Sequence, residues 1–60
     1  MTATELSERY PQDGFYTHSE ALAWIADAQK LHQFRGTVFW TEPRDGRYVV
    51  VQGLPWEKPS

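Results

Sequence analysis

The chain has no cysteine, which excludes a disulfide framework, a zinc knuckle and a thiol nucleophile. It also lacks any apolar run near the ~20 residues that a membrane span needs. Its first residues, Met1-Thr2-Ala3-Thr4-Glu5, carry neither the basic nor the apolar region of a signal peptide. A soluble, cytoplasmic protein is expected. Gly14, Gly36, Gly46 and Gly53 are isolated, without a phosphate-cradling pattern. The two histidines, His18 and His32, are fourteen residues apart, roughly 20 Å along a helix. They cannot share a metal or a proton, and Ser7, Ser19 and Ser60 have no evident base beside them. No catalytic residue, metal site or cofactor is expected, and the chain reads as a non-enzyme.

Sixty residues leave room for one core, because a chain this short buries only about 60% of the surface it exposes when unfolded. What is present in quantity is aromatic: three Trp, three Tyr and three Phe. Each large ring buries on the order of 150–250 Å², so packing or a partner must supply the stability. The formal charge of −2 is unevenly placed. Residues 1–29 carry one Arg against five acids, and residues 30–47 carry four basic residues against two acids. A polyanion would have to meet the second half.

Residues 1–12 are polar and lack a sustained apolar period, although Glu5 to Arg9 suits one helical turn; they read as a mobile or loosely docked arm. Asp13-Gly14 is a turn signal, and Phe15-Tyr16-Thr17 favours a short extended segment that supplies a third strand. Thr17-His18-Ser19-Glu20 matches a capping box: the Thr17 hydroxyl accepts from the Glu20 N–H while the Glu20 carboxylate accepts from the Thr17 N–H. A helix starts there. Ala21, Trp24, Ile25, Ala28 and Leu31 follow as one apolar stripe, and Gly36 stops the helix after Phe34 or Arg35. Residues 36–42 and 47–52 are rich in Thr, Val and aromatics, joined by Pro43-Arg44-Asp45-Gly46. The expectation is a single α+β domain over residues 13–53, one amphipathic helix on a small antiparallel sheet in β-α-β-β order. Residues 54–60, with two prolines, form a tail.

With a loop over 43–46, Glu42 faces Arg47, Trp40 faces Val49 and Val38 faces Val51; Thr41 with Tyr48, Phe39 with Val50 and Thr37 with Gln52 share the opposite side. The first face is assigned to the helix. This leaves Phe39, Tyr48 and Val50 as an apolar spot ringed by polar groups, the composition of a binding surface. Arg44 and Arg47 at the hairpin tip would tune orientation or association rate. The structural alternative is that Leu54, Pro55 and Trp56, or the N-terminal arm, fold over that spot. Trp56 is either an anchor into the domain's own surface or a ligand for another protein. A homodimer through an exposed strand edge is a further expectation.

Two functional classes follow. A nucleic-acid-binding accessory protein would use Arg35, Arg44 and Arg47 on phosphate with Phe39, Trp40 or Tyr48 stacked on bases; the net acidity and the offsets at Glu42 and Asp45 oppose it. A protein-binding module or inhibitor would act by occlusion. Ser19-Glu20-Ala21, then Phe34 followed by Gly36-Thr37-Val38, Glu42 and Gly46, resembles the helix–hairpin portion of small type I-F anti-CRISPR proteins over residues 19–46. That resemblance implies a phage or mobile-element protein that binds a CRISPR surveillance complex and interferes with target recognition. A self-associating structural or assembly component is the third reading.

Overall fold

The computed structural model describes residues 2–59. Helix α1 (Ala3–Arg9) leads through a turn to helix α2 (His18–Ala28), and a 3-10 turn at His32–Phe34 connects to strands β1 (Val38–Arg44) and β2 (Arg47–Gly53). A second 3-10 turn, Pro55–Glu57, follows. The α+β class is as expected, but the order is α-α-β-β, and among the described residues the sheet has two strands.

Residues 3–9, expected to lie in a mobile or loosely docked arm with one helical turn at Glu5 to Arg9, form a capped helix packed on α2. Thr2 accepts from the Glu5 N–H at 3.2 Å, and Ala3, Leu6 and Tyr10 follow at helical spacing. Leu6 is 2% exposed, and its carbonyl accepts the indole N–H of Trp24 at 2.9 Å. One core therefore contains Leu6, Phe15, Ala21, Trp24, Ile25, Ala28 and Phe39, with Tyr10, Leu31, Phe34, Tyr48 and Val50 packed against it. Arg9 of α1 also reaches Asp27 of α2 at 2.7 Å.

The Arg9 hydrogen bond, assisted by the charge of Lys30, holds the Asp27 carboxyl below its ordinary range. A carboxyl depressed in the folded state stabilises the fold above its unfolded pKa of about 3.9, and that contribution fades as pH falls through the lower folded value. Carboxyl NMR should place the Asp27 midpoint below that of a free aspartate, and Arg9→Ala should return it towards the ordinary value. Both side chains are partly solvated, so added salt should narrow the difference.

Helix α2 begins where its cap predicts. The Thr17 hydroxyl accepts from the Glu20 N–H at 3.2 Å, although no returning bond from the Glu20 carboxylate forms among the described residues. Thr17→Ala should therefore lower stability by about 1 kcal/mol, read as a shift of the urea midpoint without a change of slope. The buried stripe is Ala21, Trp24, Ile25 and Ala28. The helix stops at Ala28 rather than near Gly36: Lys30 and Leu31 donate to carbonyls only three residues back, and Leu31 turns extended. This early exit swings Phe34 back, so that its ring meets Phe39 at 5.5 Å.

The expected strand around Phe15 is reduced to an isolated antiparallel bridge with Tyr48. Phe15 and Tyr48 exchange both backbone bonds, at 2.7 and 2.8 Å, and the next outward N–H of β2, that of Val50, donates to the Tyr10 hydroxyl at 2.9 Å. Gly14 is needed at this approach. Its φ is +94°, and a Cβ there would lie 3.0 Å from the Tyr48 carbonyl oxygen and 3.2 Å from both Arg47 and Val49 side-chain carbons.

The hairpin loop is two residues, not four. Asp45 and Gly46 both have positive φ, 50° and 77°, which is the twist-matched turn that Asp-Gly favours. Pro43 and Arg44 belong to β1, and Arg44 pairs with Arg47. Pro43 pairs with Tyr48, whose N–H and carbonyl point away from β1 towards Phe15. The missing proline N–H therefore lies on the outer edge and breaks no ladder bond.

Candidate functional site

The register places Phe39 opposite Gln52, Thr41 opposite Val50 and Pro43 opposite Tyr48 on one side; Val38 with Gly53, Trp40 with Val51, Glu42 with Val49 and Arg44 with Arg47 share the other. Relative to a four-residue loop this is a slip of two, so the membership of each face is unchanged. The side that meets the helices is reversed. Phe39 is 5% exposed, with its ring edge-to-face on Trp24 at 6.3 Å and on Phe34 at 5.5 Å. Tyr48 and Val50 are half-buried against the same core. The physical reason is charge: Glu42, Arg44 and Arg47 occupy the other face, and burying them under the helices would cost far more than burying Phe39, Tyr48 and Val50.

The residues expected to form one partner surface are therefore split. Phe39, Tyr48 and Val50 face inward, Phe39 in the core and Tyr48 and Val50 packed against it. Arg44 and Arg47 face outward at the tip. Arg44 is exposed. Arg47 is half-buried, its guanidinium 3.8 Å from the centre of the Tyr16 ring and donating to the Gly14 carbonyl at 3.4 Å. Arg35 stands just before β1 while Arg44 ends it, which separates them by roughly 20 Å of extended chain.

The outward face carries Val38, Trp40 and Val51 at one end, Glu42 beside Val49 in the middle, and Arg44 beside Arg47 at the tip. The Trp40 ring lies across Gly53, where a Cβ would approach it to 2.9 Å. Its indole N–H is buried without a hydrogen-bond partner among the described residues. Beside it, Leu54 donates its N–H to the Glu57 carboxylate at 2.9 Å, fixing the 3-10 turn that carries Trp56. Trp56 does not anchor into the domain: it is 78% exposed, and Leu54 is 46% exposed. Trp40, Val49, Val51 and Leu54 were absent from the sequence-derived surface. Their signal was present in Val38-Phe39-Trp40 and Tyr48-Val49-Val50-Val51, unbroken apolar runs where a sheet wetted on one side alternates.

Elsewhere, a groove of about 380 Å³ opens between α1, the first 3-10 turn and the sheet, with Leu6, Trp24, Phe34 and Phe39 inside and Gln33 and Gln52 among its lining residues. His18 packs its ring near Tyr48 at 5.4 Å, while His32 lies on the 3-10 turn. Among the described residues no group of three His, Cys, Asp or Glu side chains is placed to hold a metal, and no helix is long and apolar enough to cross a membrane. No family model, curated protein or solved structure matches the chain.

Proposed function

We propose that the chain is a non-enzymatic protein-binding module whose contact surface is the outward hairpin face together with Leu54 and Trp56. The observation that carries this reading is Trp56, 78% exposed on a turn held by the Leu54–Glu57 bond, beside a half-buried apolar face. A large ring presented on a pre-ordered turn loses little entropy on binding, and Trp and Arg dominate binding hot spots. Arg44 and Glu42 at the far end would set register and encounter rate rather than bulk affinity.

The helix–hairpin resemblance over residues 19–46 supplies a partner class for this surface, a CRISPR surveillance complex inhibited by occlusion. The nucleic-acid alternative has less support from geometry. Arg35 lies away from Arg44 and Arg47, Arg47 already covers Tyr16, and Phe39 is buried and has no face on which a base could stack.

A tagged full-length chain, retained from lysate with and without nuclease, tests the reading. The expected result is a stoichiometric protein partner that survives nuclease and is lost at least about tenfold on Trp56→Ala, as for a hot-spot truncation. Retention of nucleic acid that nuclease abolishes, or a partner indifferent to both Trp56→Ala and Val51→Lys, would overturn it.

A further inference from the structure

We propose that the outer edge of β1 takes an extended peptide segment of a partner protein, which joins the sheet antiparallel to β1 as its third strand. This edge is separate from the outward face and from Trp56, so it is a second contact site.

The two edges of the sheet differ. In an antiparallel ladder, residues alternate between those that bond across to the partner strand and those whose N–H and carbonyl point away from it. On β2 the chain uses the outward groups itself: Tyr48 exchanges both bonds with Phe15, and the Val50 N–H donates to the Tyr10 hydroxyl. Opposite these stand Pro43 and Thr41, with Phe39 two residues further along. The main-chain groups of these three residues therefore point off the far edge of β1, and none has a hydrogen-bond partner among the described residues. A row of donors and acceptors at strand spacing is complementary to another extended backbone. Thr41 is the anchor, since it is half-buried rather than enclosed and offers both groups. Pro43 is exposed but offers its carbonyl alone, which ends the pairing at the hairpin tip.

Leu22 flanks this edge on the helix side. Ala21, Trp24, Ile25 and Ala28 point into the core. Asp27 lies on the flank of α2 that meets Arg9 of α1, and Tyr10, at the end of α1, sits against the β2 edge. Leu22, five residues before Asp27, is about 140° around the helix from it, on the flank towards β1. It is 49% exposed. The side chain opposite Thr41 on an added strand would lie on the same side of the sheet as Leu22, so an apolar residue fits there.

Charge selects the occupant. Glu42 is half-buried and forms no ion pair among the described residues. Val49 stands across from it on β2, and its other side is the open edge. A Lys or Arg directly opposite Glu42 on the added strand makes a favourable cross-strand pair. A second copy supplies no such group. Two β1 strands paired antiparallel through Phe39 and Thr41 set Val38 opposite Glu42, and pairing Thr41 with its own mate sets Trp40 there. The occupant is therefore a foreign segment of about five residues, basic where it faces Glu42 and apolar at the next position, facing Thr41.

Amide hydrogen exchange of the full chain, read by NMR with and without the capped peptide acetyl-Lys-Val-Thr-Val-Thr-amide, tests the proposal. In the free chain the Phe39 and Thr41 amides should exchange about tenfold or more faster than the ladder amides of Trp40 and Glu42. Peptide near saturation should slow both by about tenfold. A peptide with Glu in place of Lys should bind about threefold or more weakly, and one N-methylated at the valine facing Thr41 should give no protection. Thr41→Pro, which removes an N–H that the ladder does not use, should abolish protection of Phe39 with the circular dichroism spectrum unchanged. No protection at millimolar peptide, or equal protection by the N-methylated peptide, would overturn the proposal. Protection that rises with protein concentration in the absence of peptide would give the edge to a second copy and overturn it likewise. Trp56→Ala should leave the protection unchanged. Loss of protection in that variant would move the peptide to the outward face, and the edge site would fail while the Trp56 surface stands.

Discussion

Phe39→Ala should unfold most of the chain at 25 °C instead of merely weakening a contact. The ring is 5% exposed and joins two layers, meeting Trp24 of α2 and Phe34 of the 3-10 turn edge-to-face. Removing a buried phenyl ring costs about 3–5 kcal/mol through lost transfer energy and the cavity left behind. A chain this short rarely has more than about 3–5 kcal/mol in total without a disulfide or metal. Urea titration followed by near-UV circular dichroism should show a folded baseline for the wild type and little or none for the variant. Trp56→Ala is the contrast. An exposed side chain on a terminal turn should change stability by no more than about 0.5 kcal/mol. Equal stability of the two variants would mean that Phe39 is not in the core.

How much of this was legible can be judged residue by residue. Thr17 and Glu20 marked the start of α2, and Ala21, Trp24, Ile25 and Ala28 named its buried stripe, because both signals are local and depend only on helix geometry. The hairpin was legible for a similar reason: Asp45-Gly46 is a turn that few other dipeptides satisfy. Its loop length is less legible, because Pro43 reads as a turn residue. In fact the proline is tolerated inside β1, at a position where its missing N–H faces away from β2. The end of α2 is illegible from propensity, since leaving the helix after Ala28 is rewarded by long-range packing, with Leu31 and Phe34 against the core and Phe34 on Phe39.

The site was harder to read for one physical reason. Deciding which hairpin face is covered requires knowing where charge can be tolerated, and a four-residue loop sets Glu42 opposite Arg47, a neutral pair. The actual register sets Glu42 opposite Val49 and Arg44 opposite Arg47, and like charges directly opposed destabilise a sheet, least where water screens them. Phe39, Tyr48 and Val50 then fall to the core, and Trp40, Val49 and Val51 to the outside. Aromatic content alone does not separate a core ring from a contact ring.

Removing residues 1–10 should be as damaging as Phe39→Ala, although this segment reads from sequence as a loose arm. The repeat of the Thr-x-x-Glu pattern at Thr2 and Glu5, with Ala3, Leu6 and Tyr10 spaced on one helical face, is what distinguishes a docked helix from an arm. Its loss would expose Trp24 and leave the indole N–H without the Leu6 carbonyl. It would also strip Tyr10 from its edge-to-face contacts with Phe15 and Trp24, at 5.2 and 5.1 Å, and free the Val50 N–H on the edge of β2. Loss of the Leu6 side chain alone costs about 2–5 kcal/mol, before the rings are counted. The truncated chain should show no cooperative thermal transition and should bind a hydrophobic dye, and Leu6→Ala in the full chain should reproduce much of the effect. A truncated chain that melts at the wild-type temperature would return residues 1–10 to the status of an arm. In that case the inner hairpin face, open again, would compete with the outer one as the place where this protein meets its partner.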